Sequence, residues 1–209
     1  MSDTTVRTAY SAINELYIDL FGSPSDLDPD DSAFVLRHLT GTDGPVLDLG
    51  CGPGHFTRTL HAAGLAATGI DLVPEFIAYA ASRYPGIPFR VDSIRAIDAP
   101  TASIGGLLAW FSLIHFTPGE LPAVLAEFAR VLAPGGRLVL GFFDTDEPVE
   151  VFAHKVTPAY RWPVEAMAEV LADAGFTEID RLERPATDDM RSYAALATSR
   201  RQPEPGGHG

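Results

Sequence analysis

The chain has 209 residues, enough for one well-packed α/β domain and too few for two comfortable ones. Its 28 acidic residues against 15 basic ones give a net charge of −13, a field that disfavours a nucleic-acid backbone or an anionic membrane surface as partner. One cysteine, Cys51, excludes an internal disulfide framework and agrees with a reducing cytoplasm; no signal-peptide pattern or membrane-spanning apolar run is read in the sequence.

Tyr10, Ile13, Leu16, Tyr17, Leu20 and Phe21 recur on one helical face, so the spacing predicts a single helix over residues 10–21. Gly22 and the polar, proline-containing run up to Asp31 end it, and a second helix is expected over 32–39 with Asp31 as its cap. Residues 45–49 read as an apolar strand that enters a loop with Gly50, Gly52 and Gly54 at alternate positions. A helix over 55–63, stopped by Gly64, follows. Strand, glycine loop and helix together bring bare backbone N–H groups against a ligand.

The choice of ligand turns on Asp48. A carboxylate at the mouth of the loop repels a pyrophosphate, and no Lys or Arg lies between residues 45 and 57 to offset it. The glycines also miss the dinucleotide spacing G-x-G-x-x-G, because His55 stands where the third should be. A ligand with an ammonium and a sulfonium, and no phosphate, suits such a loop better.

A second strand over 66–71 ends in Asp71, 21 residues past Gly50, the separation at which a Rossmann-type strand offers a carboxylate to ribose hydroxyls. Leu72 and Val73 lead into a helix with Pro74 at its first position. The third strand spans 88–92, and the fourth, 103–111, is a near-continuous apolar run of the buried kind. Phe111 and Ser112 therefore face the reacting centre, since ligands of open α/β sheets lie outside the carboxyl ends of the strands. Thr117 with Glu120 reads as a capping box, with Pro118 opening a helix that runs to about 132. Residues 133–136 halt it and a fifth strand occupies 137–143. Strand alternating with helix argues a parallel, doubly wound sheet. An insert over 149–162, a helix over 163–174 and two strands over 176–184 and 192–198 complete the chain before a disordered tail over 202–209.

Val46-Leu47-Asp48-Leu49-Gly50-Cys51-Gly52-Pro53-Gly54 resembles the first motif of class I S-adenosylmethionine (SAM)-dependent methyltransferases. The block from the fourth strand through Leu132-Ala133-Pro134-Gly135-Gly136 into the fifth is similar to that family as well. The likeness spans residues 10–200 and is nearest to small bacterial methyltransferases of small molecules. It implies an α/β, Rossmann-like, seven-stranded, mostly parallel sheet with a C-terminal antiparallel hairpin and helices on both faces. A helical cap over residues 1–44, a methyltransferase domain over 45–201 and the tail then make up the chain. The resemblance also implies SAM as cofactor and S-adenosylhomocysteine (SAH) as product.

On this reading Gly50, Cys51, Gly52 and Gly54 admit the methionine part of SAM, and Asp48 offsets its ammonium. Asp71, with Leu72 beside it, takes the ribose. Asp92, Ser93 and Ile94 stand where the family contacts adenine. No Asn/Asp-Pro-Pro-aromatic motif follows the fourth strand, where Trp110-Phe111-Ser112-Leu113 stands, which weighs against methylation of DNA or protein amides and leaves O, N or C of a small acceptor open.

His115, just past the fourth strand, is the candidate general base; the competing reading makes it a hydrogen-bonded residue that fixes the loop. Tyr10, Tyr17, His154, Tyr160 and Trp162 are candidate acceptor-pocket residues, although Tyr160 and Trp162 can equally seat the following helix. No cluster has metal-ligand spacing, so no metal is expected. The leading function is methyl transfer to a small organic acceptor. The alternative is a SAM-holding protein without transfer activity, acting as a partner or regulator. A nicotinamide oxidoreductase is disfavoured by Asp48 and His55.

Overall fold

The structure, a computed structural model, describes residues 2–22, 27–188 and 190–202. The predicted tail falls almost wholly outside the described residues.

The apolar repeat near the N-terminus forms two helices, not one: α1 (Asp3–Ser11) and α2 (Asn14–Phe21). Ile13 leaves the helical region, with φ −125° and ψ 17°, and the Asn14 side chain donates to the carbonyl of Ser11 at 2.6 Å. The apolar spacing runs through this break, which is why the pattern alone does not reveal it. Helix α3 (Pro29–Leu39) starts earlier than expected. Its cap is Asp28, whose Oδ1 accepts from the backbone N–H of Asp30 at 2.8 Å, and Pro29 fits the first helical turn. Asp31 instead turns inward, and the Tyr193 hydroxyl donates to it.

Strands β1 (Val46–Leu49), β2 (Ala67–Asp71), β3 (Phe89–Val91), β4 (Ile104–Trp110) and β5 (Leu132–Asp144) are parallel, in the order β3-β2-β1-β4-β5. Helices α4 (His55–Ala62), α5 (Pro74–Arg83) and α6 (Leu121–Val131) make the crossovers. Helix α6 begins after the capping box anticipated at Thr117. Glu120 does reach back to the Thr117 N–H at 2.9 Å, but the intervening residues are a turn and not helix. Strand β5 is longer than expected. Leu132 already pairs with Ile104, residues 133–136 loop out of register, and pairing resumes at Gly106↔Arg137.

The insert is structured. It supplies β6 (Glu150–Phe152) and β7 (Ala159–Trp162), an antiparallel pair absent from the sequence reading. Strand β7 pairs with Phe143 and Asp144 of β5, beyond the last β4 partner, Gly141. Helix α7 (Val164–Asp173) leads to β8 (Phe176–Arg184) and β9 (Tyr193–Arg200), the antiparallel hairpin, with β9 along β5 from Arg137↔Ser199 to Phe143↔Tyr193. The main sheet is thus seven strands, β3-β2-β1-β4-β5-β9-β8, with the β6–β7 ribbon added at the end of β5.

Alternate residues of the central strands feed two cores, as expected of strands covered on both faces. Leu47, Leu49 and Leu107 pack with α6 and α7 through Phe128 and Met167. Val46, Leu108 and Val139 pack with α3 and α4 through Phe34, Leu39 and Leu60. Helix α3 is therefore part of the core, whereas α1 buries no residue fully.

Gly54 shows how sequence sets the start of α4. It caps the helix at φ +87°, and a Cβ there would lie 2.8 Å from the Phe89 ring and 2.9 Å from the Ala80 Cβ. Its role is close helix–strand packing. Gly54→Ala is expected to cost about 1–3 kcal/mol through crowding, read as a lower urea midpoint at unchanged slope; an unaltered midpoint would contradict this packing.

Candidate functional site

A cavity of about 630 Å³ opens at the carboxyl ends of the central parallel strands, a volume suited to a small ligand. Strand order reverses direction between β1 and β4, so the cavity sits at the topological switch point. Residues of α1 and α2, including Tyr10 and Tyr17, form the wall across from the strands. Leu16 and Leu20, on the apolar repeat, also line it and stay more than half exposed, at 59% and 52%.

The glycine turn forms one end. A Cβ on Gly50 would lie 2.5 Å from the Cβ of Ser112, so this glycine lets the β1 and β4 loops close on each other. Gly52, at φ +52°, differs: a Cβ there would meet only Tyr17 Cε1, at 3.7 Å, so the turn faces open cavity. Ser112 Oγ is buried at the cavity wall without a hydrogen-bond partner. A polar ligand atom would satisfy it. Beside it, at the end of β4, Phe111 holds φ +55°, a rarely occupied region for a bulky residue.

Two carboxyl groups frame the turn. Asp71 accepts from the Gly52 N–H at 2.9 Å and from the Val73 N–H at 2.8 Å. Burial raises its pKa to about 6, opposed by those backbone bonds. Asp48 accepts from Thr57 Oγ1 at 2.6 Å, and burial raises its pKa to about 7 against that bond. Neither forms an ion pair among the described residues. Both line the cavity, so the site holds two carboxyl groups whose charge is uncompensated by the protein.

Removal of the Asp48 charge has a pH signature. Its folded pKa is raised above the unfolded value, so the ionised form destabilises the ligand-free protein increasingly as pH rises from about 4 to about 7. The melting temperature of Asp48→Asn minus that of wild type is expected to widen from pH 5 to about 7 and stay constant above. A pH-independent difference would overturn the buried charge.

His115 lies at the other side of the cavity, and its tautomer follows from its partners. Nδ1 is 2.9 Å from the carbonyl oxygen of Pro158, which can only accept, so Nδ1 carries the proton. Nε2 is then a bare acceptor, and the Tyr10 hydroxyl, 2.9 Å away, donates to it. Burial lowers the His115 pKa, which keeps the imidazole neutral. The insert holds this loop, since the Tyr160 N–H also donates to the carbonyl of Ile114 at 2.8 Å. His154 stacks edge-on at 5.5 Å from His115, its pKa lowered to about 4 by burial and then by His115, Arg191 and Lys155.

The structure thus brings Asp48, Gly50, Cys51, Gly52, Asp71 and Leu72 to one cavity, together with Ile94, Phe111, Ser112 and His115. Tyr10, Tyr17 and His154 line it too. Burial pushes the Cys51 thiol well up, consistent with a packed loop residue.

Five expected residues fall elsewhere. Gly54 packs on β3 as described. Asp92 is a turn residue: its carboxylate accepts from the Ser93 N–H at 2.8 Å and pairs with Arg90 at 3.2 Å. Ser93 is covered by α1, its hydroxyl donating to Asp3 at 2.6 Å. Trp162 is buried in the core with Met167, and Tyr160 packs against that core, because β7 places them on its covered face. They seat α7 and do not line the cavity.

Phe143, Lys155 and Arg191 line the cavity and were missed or left unassigned in sequence. Arg191 carries a readable signal only once β9 is known to run antiparallel, because the start of such a strand falls beside the carboxyl ends of its parallel neighbours. Among the described residues no group of three His, Cys, Asp or Glu is placed to hold a metal, and no helix is long and apolar enough to cross a membrane.

Fold and cavity define a doubly wound α/β protein with a ligand-sized cavity over β1 and β4. Residues 46–136 match a family profile described as "Methyltransferase domain". The chain is 32% identical over 108 residues to the malonyl-[acyl-carrier protein] O-methyltransferase of Erwinia billingiae, covering 52% of this chain and 42% of that one. It spans about half or less of the curated relatives it matches. It is similar in structure to Burkholderia thailandensis 1,6-didemethyltoxoflavin-N1-methyltransferase, solved with 1,6-didemethyltoxoflavin and S-adenosylhomocysteine bound. The TM-score is 0.79 at 25% identity, over 95% of this chain and 88% of that one. The [4+2]-cyclase SpnF shares the fold, with TM-score 0.79 at 19% identity over 97% and 98% of the two chains. Over residues 46–136 the chain thus matches a methyltransferase domain in sequence, and over 95% of its length it has the fold of a solved methyltransferase.

Proposed function

We propose that the protein transfers a methyl group from SAM to a small organic acceptor. The observation that carries this is the pair Asp48 and Asp71: buried, raised in pKa by that burial, unpaired with any described cation, and facing the glycine turn. Such a pair favours a cationic ligand and repels a pyrophosphate. The unpartnered Ser112 Oγ and the open space at Gly52 fit a polar ligand on the same turn.

SAM, when bound, supplies a methyl on a positively charged sulfur that leaves as a neutral thioether. Asp71 is assigned to the ribose hydroxyls, with Leu72 and Ile94 against the nucleoside. Asp48 balances the ammonium, and Gly50, Cys51 and Gly52 allow close approach of backbone. Helices α1 and α2 keep water from the reacting atoms, and holding both partners in register is worth on the order of 7–11 kcal/mol in favourable cases. His115 Nε2 takes the proton that an acceptor oxygen or nitrogen sheds, once the Tyr10 hydroxyl turns away from it. Residues 1–44 then serve partly as cap, through α1 and α2, and residues 45–201 form the transferase unit.

The acceptor is read as a small molecule, and not nucleic acid or membrane lipid, from the net charge of −13. The lone buried Cys51 supports a reducing cytoplasm as the working compartment.

Turnover of methyl-labelled SAM against a metabolite panel tests the proposal. Label in an acceptor, with one SAH formed per methyl, is expected. Binding of SAH with no methylated product from any acceptor would favour the second reading, a SAM-holding protein with another role. SpnF, a cyclase on the same fold, gives that reading its footing, since fold alone does not fix chemistry.

A further inference from the structure

The cavity is electrically divided. Its carboxyl groups Asp48 and Asp71 belong to β1 and the end of β2, whereas Lys155 and Arg191 lie by β5, which follows β4 in the sheet. At a strand spacing of about 4.8 Å, the ends of β2 and β5 are roughly 14 Å apart. The two cations form no ion pair with any described carboxylate. The third cation on the wall, Arg95, is already held by Asp3 at 2.7 Å and Glu120 at 2.9 Å.

The two other acids on the cavity wall besides Asp3, Asp48 and Asp71 are likewise occupied. Asp28 pairs with Arg184 at 2.9 Å, and Asp31 accepts from the Tyr193 hydroxyl at 2.8 Å. Among the described residues, no carboxylate pairs with Lys155 or Arg191 on the cavity side. Their effect reaches His154, whose protonated form both disfavour. Between these cations and His115 the wall is aromatic: Phe111 and Phe143 stand 4.9 Å apart, and Phe143 meets His154 at 5.9 Å. Arg191 itself lies 5.0 Å over the Phe152 ring, which holds its guanidinium at the edge of this chamber.

We propose that the methyl acceptor bears an anionic oxygen group, carboxylate or phosphate, bound by Lys155 and Arg191, with an apolar or aromatic body filling the chamber of Phe111 and Phe143. This rests on the methyl-transfer reading and names its substrate class. Arg191 suits the planar, two-point binding of either group, and Lys155 adds a point charge. The anion anchors the acceptor at the β5 end, while the body reaches back toward His115 and Ser112.

Calorimetry on protein saturated with SAH tests this, with naphthoate, naphthyl phosphate and the neutral naphthamide as probes. At least one anion is expected to bind about tenfold more tightly than the amide. The stronger of the two identifies carboxylate or phosphate as the native group. In Lys155→Gln/Arg191→Gln, the anion preference is expected to vanish while SAH affinity and naphthamide binding stay unchanged. Equal binding of acid and amide, no binding of any probe, or a double variant that keeps its preference would overturn the proposal. So would a double variant that loses SAH in place of the acid, which would assign the cations to the cofactor. Failure of the wild type to bind SAH at all counts against the methyl-transfer reading, and is seen before any probe is added.

Discussion

His115→Ala is expected to lower kcat by about 10²–10⁴-fold on a proton-bearing acceptor, with SAH affinity unchanged. The effect is large because the proposed base is already prepared in the resting site. Pro158 fixes the proton on Nδ1, so no tautomer change precedes proton uptake at Nε2. Burial lowers the His115 pKa, so the acid limb of the rate profile should fall below the ordinary imidazole value of about 6.5. His115→Gln keeps a donor toward Pro158 and loses the base, so it should restore loop order but not rate. Recovery of rate in His115→Gln would recast the residue as a loop anchor. Loss of SAH binding in His115→Ala would make it a cofactor contact.

Asp71→Ala is expected to weaken SAH binding at least tenfold, about 1.4 kcal/mol, by calorimetry. Two losses combine. The assigned ribose acceptors disappear, and the Gly52 and Val73 N–H groups lose the carboxylate that shapes the glycine turn. Hydrogen bonds to a charged group are worth about 1.5–3 kcal/mol each when lost. Asp71→Asn separates the two effects. An amide keeps one acceptor for the turn but presents a donor where a second N–H or a hydroxyl needs an acceptor. It should fall between wild type and Asp71→Ala. Unchanged SAH affinity in both variants would remove the ribose assignment.

Much of the fold is written in local pattern. The apolar run of β1, the glycine turn and the alternation of strand with helix give the parallel sheet, and residues 176–184 and 192–198 read as strands whose antiparallel pairing the family resemblance implies. What is not local is not legible. Strands β6 and β7 are short, three and four residues, and form only because β5 extends past β4 and leaves an edge to pair. The helix break at Ile13 leaves the apolar spacing intact, and Asp31, expected as the cap, is taken by Tyr193 from across the chain while Asp28 caps the helix.

The site divides in the same way. Asp48, Asp71, Ser112 and His115 sit at strand ends or just beyond, where topology alone sends them to the cavity. Asp92 and Ser93 also follow a strand end, yet Arg90 and Asp3 take them out of the cavity. Tyr160 and Trp162 turn to the core because β7 is covered on that face, whereas Lys155 and Arg191 reach the cavity through pairings of the insert and β9. Contacts made across the chain decide these four.

The crystal structure of the SAH complex is the most direct test of a cationic, phosphate-free nucleoside held on the glycine turn. The ribose hydroxyls should meet the Asp71 carboxylate, with the amino acid end on Gly50 to Gly52 and the sulfur facing Phe111 and Ser112. An adenosyl group bound elsewhere, or a turn that stays closed by its own side chains at saturating SAH, would contradict the account.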